Sequence, residues 1–402
     1  MVSDMTAQKK SRSASVVIAG AGVAGLEALL ALRALAGDRV NLTLVSPQDS
    51  FIDRPMTVAA PFGLGSAARY SLAEIAAEAG AEFVVGTVVA VEDSAHLLRM
   101  AQGPDLEFDT LILAPGARQT SPSPNSIVFG LAGSGPAIEE MLQRLRSGHA
   151  NRVTFAAPSM TGWLLPLYEL ALMTAREVAR NNVDGVRLRL LSPEDRPLAL
   201  FGDEASDSVA GLLAAAGIEF VATTYTNAQA GGIAVHSPAT DYVVTLPILQ
   251  GPVLAGVPSV PPHGFIPVDE YGRVRGLSDV YAAGDAVDFP VKQGGLAAQQ
   301  ADAVAEHVAA SYGASVEPTP FTPALRGMLF TGGEPLYMRS DVPGADVDVP
   351  GAWYPLWWPP TKVAGRYLAP YLFARGEEDG LGGPPIGFID VDIPLSAVTL
   401  PG

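Results

Sequence analysis

The stretch Ser15-Val-Val-Ile-Ala-Gly-Ala-Gly-Val-Ala-Gly-Leu-Glu27 decides the fold. A short apolar run, Val16 to Ala19, meets Gly20, Gly22 and Gly25, and an Ala- and Leu-rich segment follows from Ala28 to Leu35. This reads as strand, tight turn and helix, with G-x-G-x-x-G placed where a dinucleotide site needs it. Gly20 permits the turn, Gly22 lets backbone approach a pyrophosphate, and Gly25 lets the helix pack on the strand. The helix start, at Val23 and Ala24, then offers N–H groups and partial positive charge to phosphates. About 20 residues on, where an acid normally holds the ribose hydroxyls, the strand Asn41-Leu-Thr-Leu-Val45 ends at Ser46-Pro47. Ser46 can still bond a hydroxyl, without charge assistance.

The same unit recurs downstream in altered form. Aligned without gaps, Val16 to Gly25 faces Val153 to Gly162, so Gly20 falls on Ala157, Gly22 on Ser159 and Gly25 on Gly162. The second strands correspond too, Leu42-Thr-Leu-Val-Ser-Pro47 with Leu188-Arg-Leu-Leu-Ser-Pro193. The chain therefore reads as α/β with two βαβ domains of related design. Ser159 sets a Cβ where a pyrophosphate would approach, and Pro158 removes an N–H. The second domain is expected to keep the fold and to lose a standard nicotinamide dinucleotide site.

Composition narrows the chemistry. The 402 residues carry 25 Lys and Arg against 42 Asp and Glu, a net charge of −17, which repels nucleic acid. There is no cysteine, so disulfides, thiolate zinc, iron–sulfur ligation and dithiol redox chemistry are excluded. The five His stand at no metal-ligand spacing, and no metal is expected. The start, with Lys9, Lys10 and Arg12 before a glycine-broken apolar run, is not expected to act as a signal peptide. A cytoplasmic protein, soluble or peripheral at a membrane, is expected.

Two further stretches carry a family resemblance. Val280-Tyr-Ala-Ala-Gly-Asp285 resembles the second FAD fingerprint of the two-dinucleotide-domain flavoproteins, the pyridine nucleotide-disulfide oxidoreductase superfamily. Asp109-Thr-Leu-Ile-Leu-Ala-Pro-Gly-Ala117 is similar to that family's short Ala-Thr-Gly element, with Pro115 in place of Thr. Pro290-Val-Lys-Gln-Gly-Gly-Leu-Ala297, Leu165-Pro-Leu-Tyr-Glu-Leu-Ala171 and Phe51-Ile-Asp-Arg-Pro55 look most like the sulfide:quinone reductase and type II NADH dehydrogenase branch. The resemblance covers residues 14 to about 312. It implies two Rossmann-like domains of the glutathione-reductase type, with FAD as cofactor. The expected division is 1–119 and 251–312 for the FAD domain, 120–250 for the nucleotide-like domain and 313–402 for a C-terminal cap.

Carried over residue by residue, the resemblance puts Gly20, Gly22, Val23, Ala24 and Gly25 on the pyrophosphate. It places Ser46, Arg54, Pro55 and Val88 near the adenosine, with Ala114, Pro115 and Gly116 close by. Gly284 and Asp285 would meet the ribityl chain. Lys292, Gln293, Gly294 and Ala297 would lie beside the pyrimidine end of the flavin, where a Lys and a helix N-terminus stabilise a reduced, anionic ring. Glu169 would lie near the flavin N5 and relay a proton, with Tyr168 and Trp163 beside it. Without cysteines, sulfide:quinone and disulfide chemistry are excluded on the thiolate requirement.

The C-terminal ninety residues hold a dense aromatic segment. Seven of the 29 aromatics lie between Trp353 and Phe373, alongside Lys362, Arg366 and Arg375 and with no acid. This segment, 353–375, reads as a peripheral membrane contact, a lid over an apolar acceptor, a homodimer interface or core packing. Pro and Gly are dense in Val342 to Pro360 and Gly380 to Gly387, which indicates loops. The function expected is an FAD-dependent oxidoreductase passing two electrons from a small-molecule donor to a small acceptor, plausibly a quinone. Two alternatives stand beside it: an NAD(P)H-dependent reductase, supported by Glu194, and a low-activity FAD-binding redox sensor or assembly partner.

Overall fold

Each copy of the repeated unit anchors its own five-stranded parallel sheet. The structure is a computed structural model that describes residues 13–158, 162–222, 240–340 and 351–375; Ser159, residues 342–350 and Gly380 to Gly387 lie outside the described residues. The first sheet has the order Val280–Ala282, Thr110–Leu113, Ala14–Ala19, Val40–Ser46, Glu82–Val85. The second has the order Ile127–Val128, Tyr242–Thr245, Arg152–Ala156, Arg187–Ser192, Ile218–Ala222. Every neighbouring pair in both is parallel. The gapless correspondence holds in the backbone: Val16 pairs with Leu42, and Val153 with Leu188. The Gly20 N–H donates to the Val45 carbonyl at 2.8 Å, and the Ala157 N–H to the Leu191 carbonyl at 2.9 Å. The chain crosses between the sheets through Arg118–Thr120 and Ile248–Gln250, which pair antiparallel.

Seven helices are described: α1 (Val23–Ala36), α2 (Leu72–Glu78), α3 (Ser134–Arg146), α4 (Leu165–Arg180), α5 (Asp203–Ala215), α6 (Gly294–Ser311) and α7 (Leu368–Arg375). α1 runs along α6, and buried alanines on both (Ala24, Ala28, Ala31; Ala297, Ala301, Ala305) permit close approach. Leu26, Leu29 and Leu32 of α1 are fully buried, each contributing about 2 kcal/mol by apolar burial. The core of the second sheet continues into Leu325, Leu329, Leu336 and Met338 of the hairpin Leu325–Leu329 and Leu336–Ser340. It also takes in Val58 and Leu296 from the first domain. One apolar core thus spans both domains and the hairpin.

Residues 351–375 form a strap across this junction. Ala352 exchanges two backbone hydrogen bonds with Tyr337, at 2.8 and 2.9 Å, continuing the hairpin. Val363 then lies over the start of α6, and α7 ends the strap against α1. Trp357 is buried edge-on to Tyr337, and Trp358 packs on Phe373, while Trp353 and Tyr354 are exposed. The local basic character expected of this segment is neutralised in the fold. Lys362 pairs with Glu169, Arg366 with Glu306 and Arg375 with Glu78, all acids remote in sequence. Among the described residues no helix is long and apolar enough to cross a membrane.

Candidate active site

Three separated fingerprints meet at the C-terminal ends of adjacent strands in the first sheet. Gly20 has φ +118°, and a Cβ there would lie 2.1 Å from the Ala114 carbonyl oxygen, so its glycine is required twice over. Ala114, leading into Pro115 and Gly116, is drawn in by its N–H bond to the Ala19 carbonyl, 2.8 Å. A Cβ on Gly25 would meet the Gly20 carbonyl at 1.8 Å. Gly22 is different: nothing lies within 4 Å of its Cβ position. No side chain caps α1, so the N–H groups of its first turn, from Val23 and Ala24, face this open space. Gly284 joins the third fingerprint to the first. A Cβ there would sit 2.9 Å from Ala24 and 3.5 Å from Ala297, and its N–H donates to Gln300 Oε1 at 2.8 Å. The N-terminal ends of α1 and α6 therefore converge on Gly284.

Asp285 follows, half-buried, and no N–H or O–H of the described residues bonds its carboxylate. Burial pushes that carboxyl up, and the charges of Lys292 and Arg54 pull it back. Lys292 is itself buried; its Nζ donates to the Val287 carbonyl and lies 3.6 Å from the centre of the Phe265 ring. Burial brings Lys292 down to about 8, opposed by Asp285 and Asp288. Arg54 is exposed at the head of the turn Arg54–Val58, with Pro55 fixing its second position.

Of the other sequence candidates, Gln293 and Ser46 have side chains hydrogen-bonded within the fold. Gln293 caps α6: its Oε1 accepts the Leu296 N–H at 2.8 Å, and its Nε2 donates to the Arg326 carbonyl at 3.0 Å. Ser46 is buried, and its hydroxyl accepts the Gln48 N–H at 3.1 Å. Val88 sits in a separate antiparallel sheet, paired with Met100. Gly294 is where the strap crosses, since a Cβ there would meet Val363 at 3.0 Å.

Glu169 is fully buried in α4, and Lys362 reaches it from the strap. The Lys362 Nζ donates to both carboxylate oxygens, at 2.5 and 2.6 Å. The Phe330 N–H donates to Oε1 at 2.8 Å, and the Lys362 Nζ lies 4.2 Å from the centre of the Phe330 ring. Burial raises the Glu169 carboxyl and lowers the Lys362 amine, while each partner's charge opposes the shift of the other. Asp53 adds a second negative charge facing Lys362; its Oδ1 is buried with no hydrogen-bond partner, and burial pushes its carboxyl up to about 6. Sequence reasoning missed Lys362 and Asp53. The only trace of the first was a Lys in an aromatic window without acids.

The second domain gives a different result from the first. Gly162 is approached from the other domain: a Cβ there would lie 1.9 Å from the carbonyl oxygen of Pro290, in the loop before α6. That loop approaches Gly162 itself. Tyr168 donates to Glu194 Oε2 at 2.6 Å, and the Ser192 hydroxyl donates to the same oxygen at 2.9 Å. Burial and the Glu194 charge hold the Tyr168 hydroxyl well above its ordinary range, and burial raises Glu194. The acid that would hold a ribose is thus occupied. The first domain fits an FAD: an open glycine turn, an uncapped helix and a carboxylate with no hydrogen-bond donor. In the second, Gly162 meets Pro290, and Glu194 accepts from Tyr168 and Ser192.

Residues 14–155 match the family model of the pyridine nucleotide-disulphide oxidoreductases. The sulfide:quinone oxidoreductase of the hyperthermophilic bacterium Aquifex aeolicus superimposes with a TM-score of 0.72 at 18% identity, over 82% of this chain and 84% of that one. A ferredoxin reductase of Rhodopseudomonas palustris gives 0.57 at 19% identity, over 80% and 81%. NDH2 of Plasmodium falciparum gives 0.54 at 15% identity, over 69% and 65%. At these identities the structures share a fold with this chain. The family match over residues 14–155 and the convergence of three fingerprints on one cradle agree with the fold those structures share.

Proposed function

We propose that the chain passes two electrons through its flavin to a small acceptor, a quinone, using neither a thiol pair nor a nicotinamide nucleotide seated in the second domain. One observation carries this reading. The buried Glu169–Lys362 pair sits one residue from the point where Val363 lies over the start of α6, the helix that follows Asp285 and Lys292. An ionisable pair walled off from water near the start of α6, where the ring would lie, suits an acceptor that takes up protons with its electrons.

Bound FAD would supply the two-electron chemistry; the chain supplies binding, charge and proton handling. The first turn of α1 would hold the pyrophosphate, and Asp285 would accept from the ribityl hydroxyls. Lys292 and the N-terminal end of α6, two residues on, would add positive charge there, which favours an anionic ring. In the Glu169–Lys362 pair, burial disfavours both charges while each partner's charge favours the other's, and Nζ is hydrogen-bonded to both carboxylate oxygens along which a proton would pass. The buried strap residues Trp357, Val363 and Ala364 keep water from the pair. Glu194 was the support for the nicotinamide reading, and Tyr168 and Ser192 engage it.

The test is reoxidation. Protein reduced with dithionite is freed of excess reductant and mixed anaerobically with a soluble short-chain quinone in a stopped-flow instrument. Rapid return of the oxidised flavin spectrum is expected, slowed in Glu169→Gln. Reoxidation no faster than in anaerobic buffer would remove the quinone reading and leave the sensor.

A further inference from the structure

Glu27 is an acid in the middle of apolar α1, and it is fully buried. The glycine turn does not need it. Its carboxylate oxygens accept the backbone N–H groups of Tyr367 at 2.7 Å and Leu368 at 2.8 Å, where the strap enters α7. A Cβ on Gly365 would lie 2.5 Å from Glu27 Oε2, so the strap rests directly on this carboxylate and needs glycine to do so.

On its other side Glu27 meets a second acid, Asp302 of α6, side chain to side chain. Asp302 Oδ1 is buried, and no N–H or O–H of the described residues reaches it. Two ionised carboxylates have no hydrogen to share, and burial disfavours both charges. One proton between them removes a charge and supplies the missing bond. The charged surroundings agree. α6 adds Glu306, which accepts from Arg366 at 2.9 Å and from the Thr319 N–H at 3.0 Å. The strap adds Arg366 and Tyr367; α1 contributes Glu27 alone. Burial first, then the charge of Glu27, raises Asp302 well above the ordinary carboxylate range.

We infer that Glu27 and Asp302 form a one-proton latch that holds the strap, and with it Lys362, on the two helices of the flavin cradle. Glu27 and Asp302 are positioning residues: they set where Lys362 lies and touch no reacting atom. The latch rests on the contacts among α1, α6 and the strap, and stands whether or not a quinone is the acceptor. Loss of the proton sets two buried charges against each other, with Glu306 adding to the repulsion and Arg366 offsetting part of it. The strap then loosens from its Gly365–Leu368 end.

The test is hydrogen–deuterium exchange at the Tyr367 and Leu368 amides of the full-length purified protein, from pH ~6 to ~9. Rates are divided by the intrinsic rate at each pH, so that only protection is compared. In the wild type, protection falls at least about tenfold as pH rises. Asp302→Asn keeps a donor to Glu27 without a titrating proton and flattens the curve. Glu27→Gln, whose single amide oxygen can serve only one of the two backbone N–H groups, lowers protection at every pH and also flattens the curve should Asp302→Asn fail to fold. Glu306→Gln leaves the fall in place. A wild-type protection that does not change with pH overturns the latch. So does a fall that persists in Asp302→Asn or Glu27→Gln, or one that disappears in Glu306→Gln.

Discussion

Lys362 of the strap and Glu169 of α4 are 193 residues apart in sequence and form one ion pair with 5% and 0% of their side chains exposed. A buried pair is poor evidence of net stabilisation, yet breaking one half strands a charge, at about 3–5 kcal/mol. Lys362→Ala should therefore lower stability by about that much, while Lys362→Met combined with Glu169→Gln should recover most of it. Urea unfolding midpoints check both. A single variant within about 1 kcal/mol of wild type would mean that water reaches the pair.

Gly20 and Gly22 belong to one motif and should fail in different ways. A Cβ at Gly20 overlaps the Ala114 carbonyl at a left-handed φ, so Gly20→Ala should unfold the protein at markedly lower temperature. Gly22→Ala adds a methyl to open space, so the fold should survive while flavin is lost, since that is where a pyrophosphate would lie on the proposed reading. Thermal unfolding of the flavin-free protein and flavin absorbance per chain separate the two effects. A Gly22→Ala protein with full flavin content would remove the cradle from this turn.

Asp285→Ala should lower the FAD content of the purified protein several-fold, since its carboxylate accepts no hydrogen bond from the described residues and is left to the ligand. Unchanged flavin content would sink the assignment.

Asp53 gives a pH-dependent stability with a fixed sign. Burial raises its carboxyl from 3.8 in the ordinary state to about 6. The folded protein therefore binds this proton more tightly than the unfolded chain does. Stability is lost as pH rises from about 4 to about 6, by at most about 3 kcal/mol, and is flat above. Asp53→Asn should remove that loss and be the more stable protein at pH 7. Unfolding free energies of the two proteins across this range test it; parallel curves would show Asp53 to be solvated.

The local half of this molecule was legible in the sequence. Gly20, Gly22 and Gly25 act within a few residues of one another, and the repeat at Val153 could be aligned by eye because strand period and turn length are short-range properties. The ends of the three fingerprints could be ordered but not joined; only the strand order sets Ala114 and Gly284 beside the first turn. Gly162 shows the limit. Its place in the repeat implied packing of its own helix, while its neighbour is Pro290, more than a hundred residues away. The pairs Glu169–Lys362 and Glu27–Asp302 were invisible for the same reason: an acid on a helix reads as solvated until the element that buries it is known. The strap's cations misled in the opposite direction, since charge counted along the chain ignored the partners across it.

The most direct measurement is an anaerobic titration of the purified protein with NADH and with NADPH, followed at the flavin absorbance band. The expected result is a flavin spectrum that dithionite bleaches and both nucleotides leave unchanged. A colourless protein, or prompt stoichiometric bleaching by either nucleotide, would contradict a flavin enzyme whose second domain holds no nicotinamide.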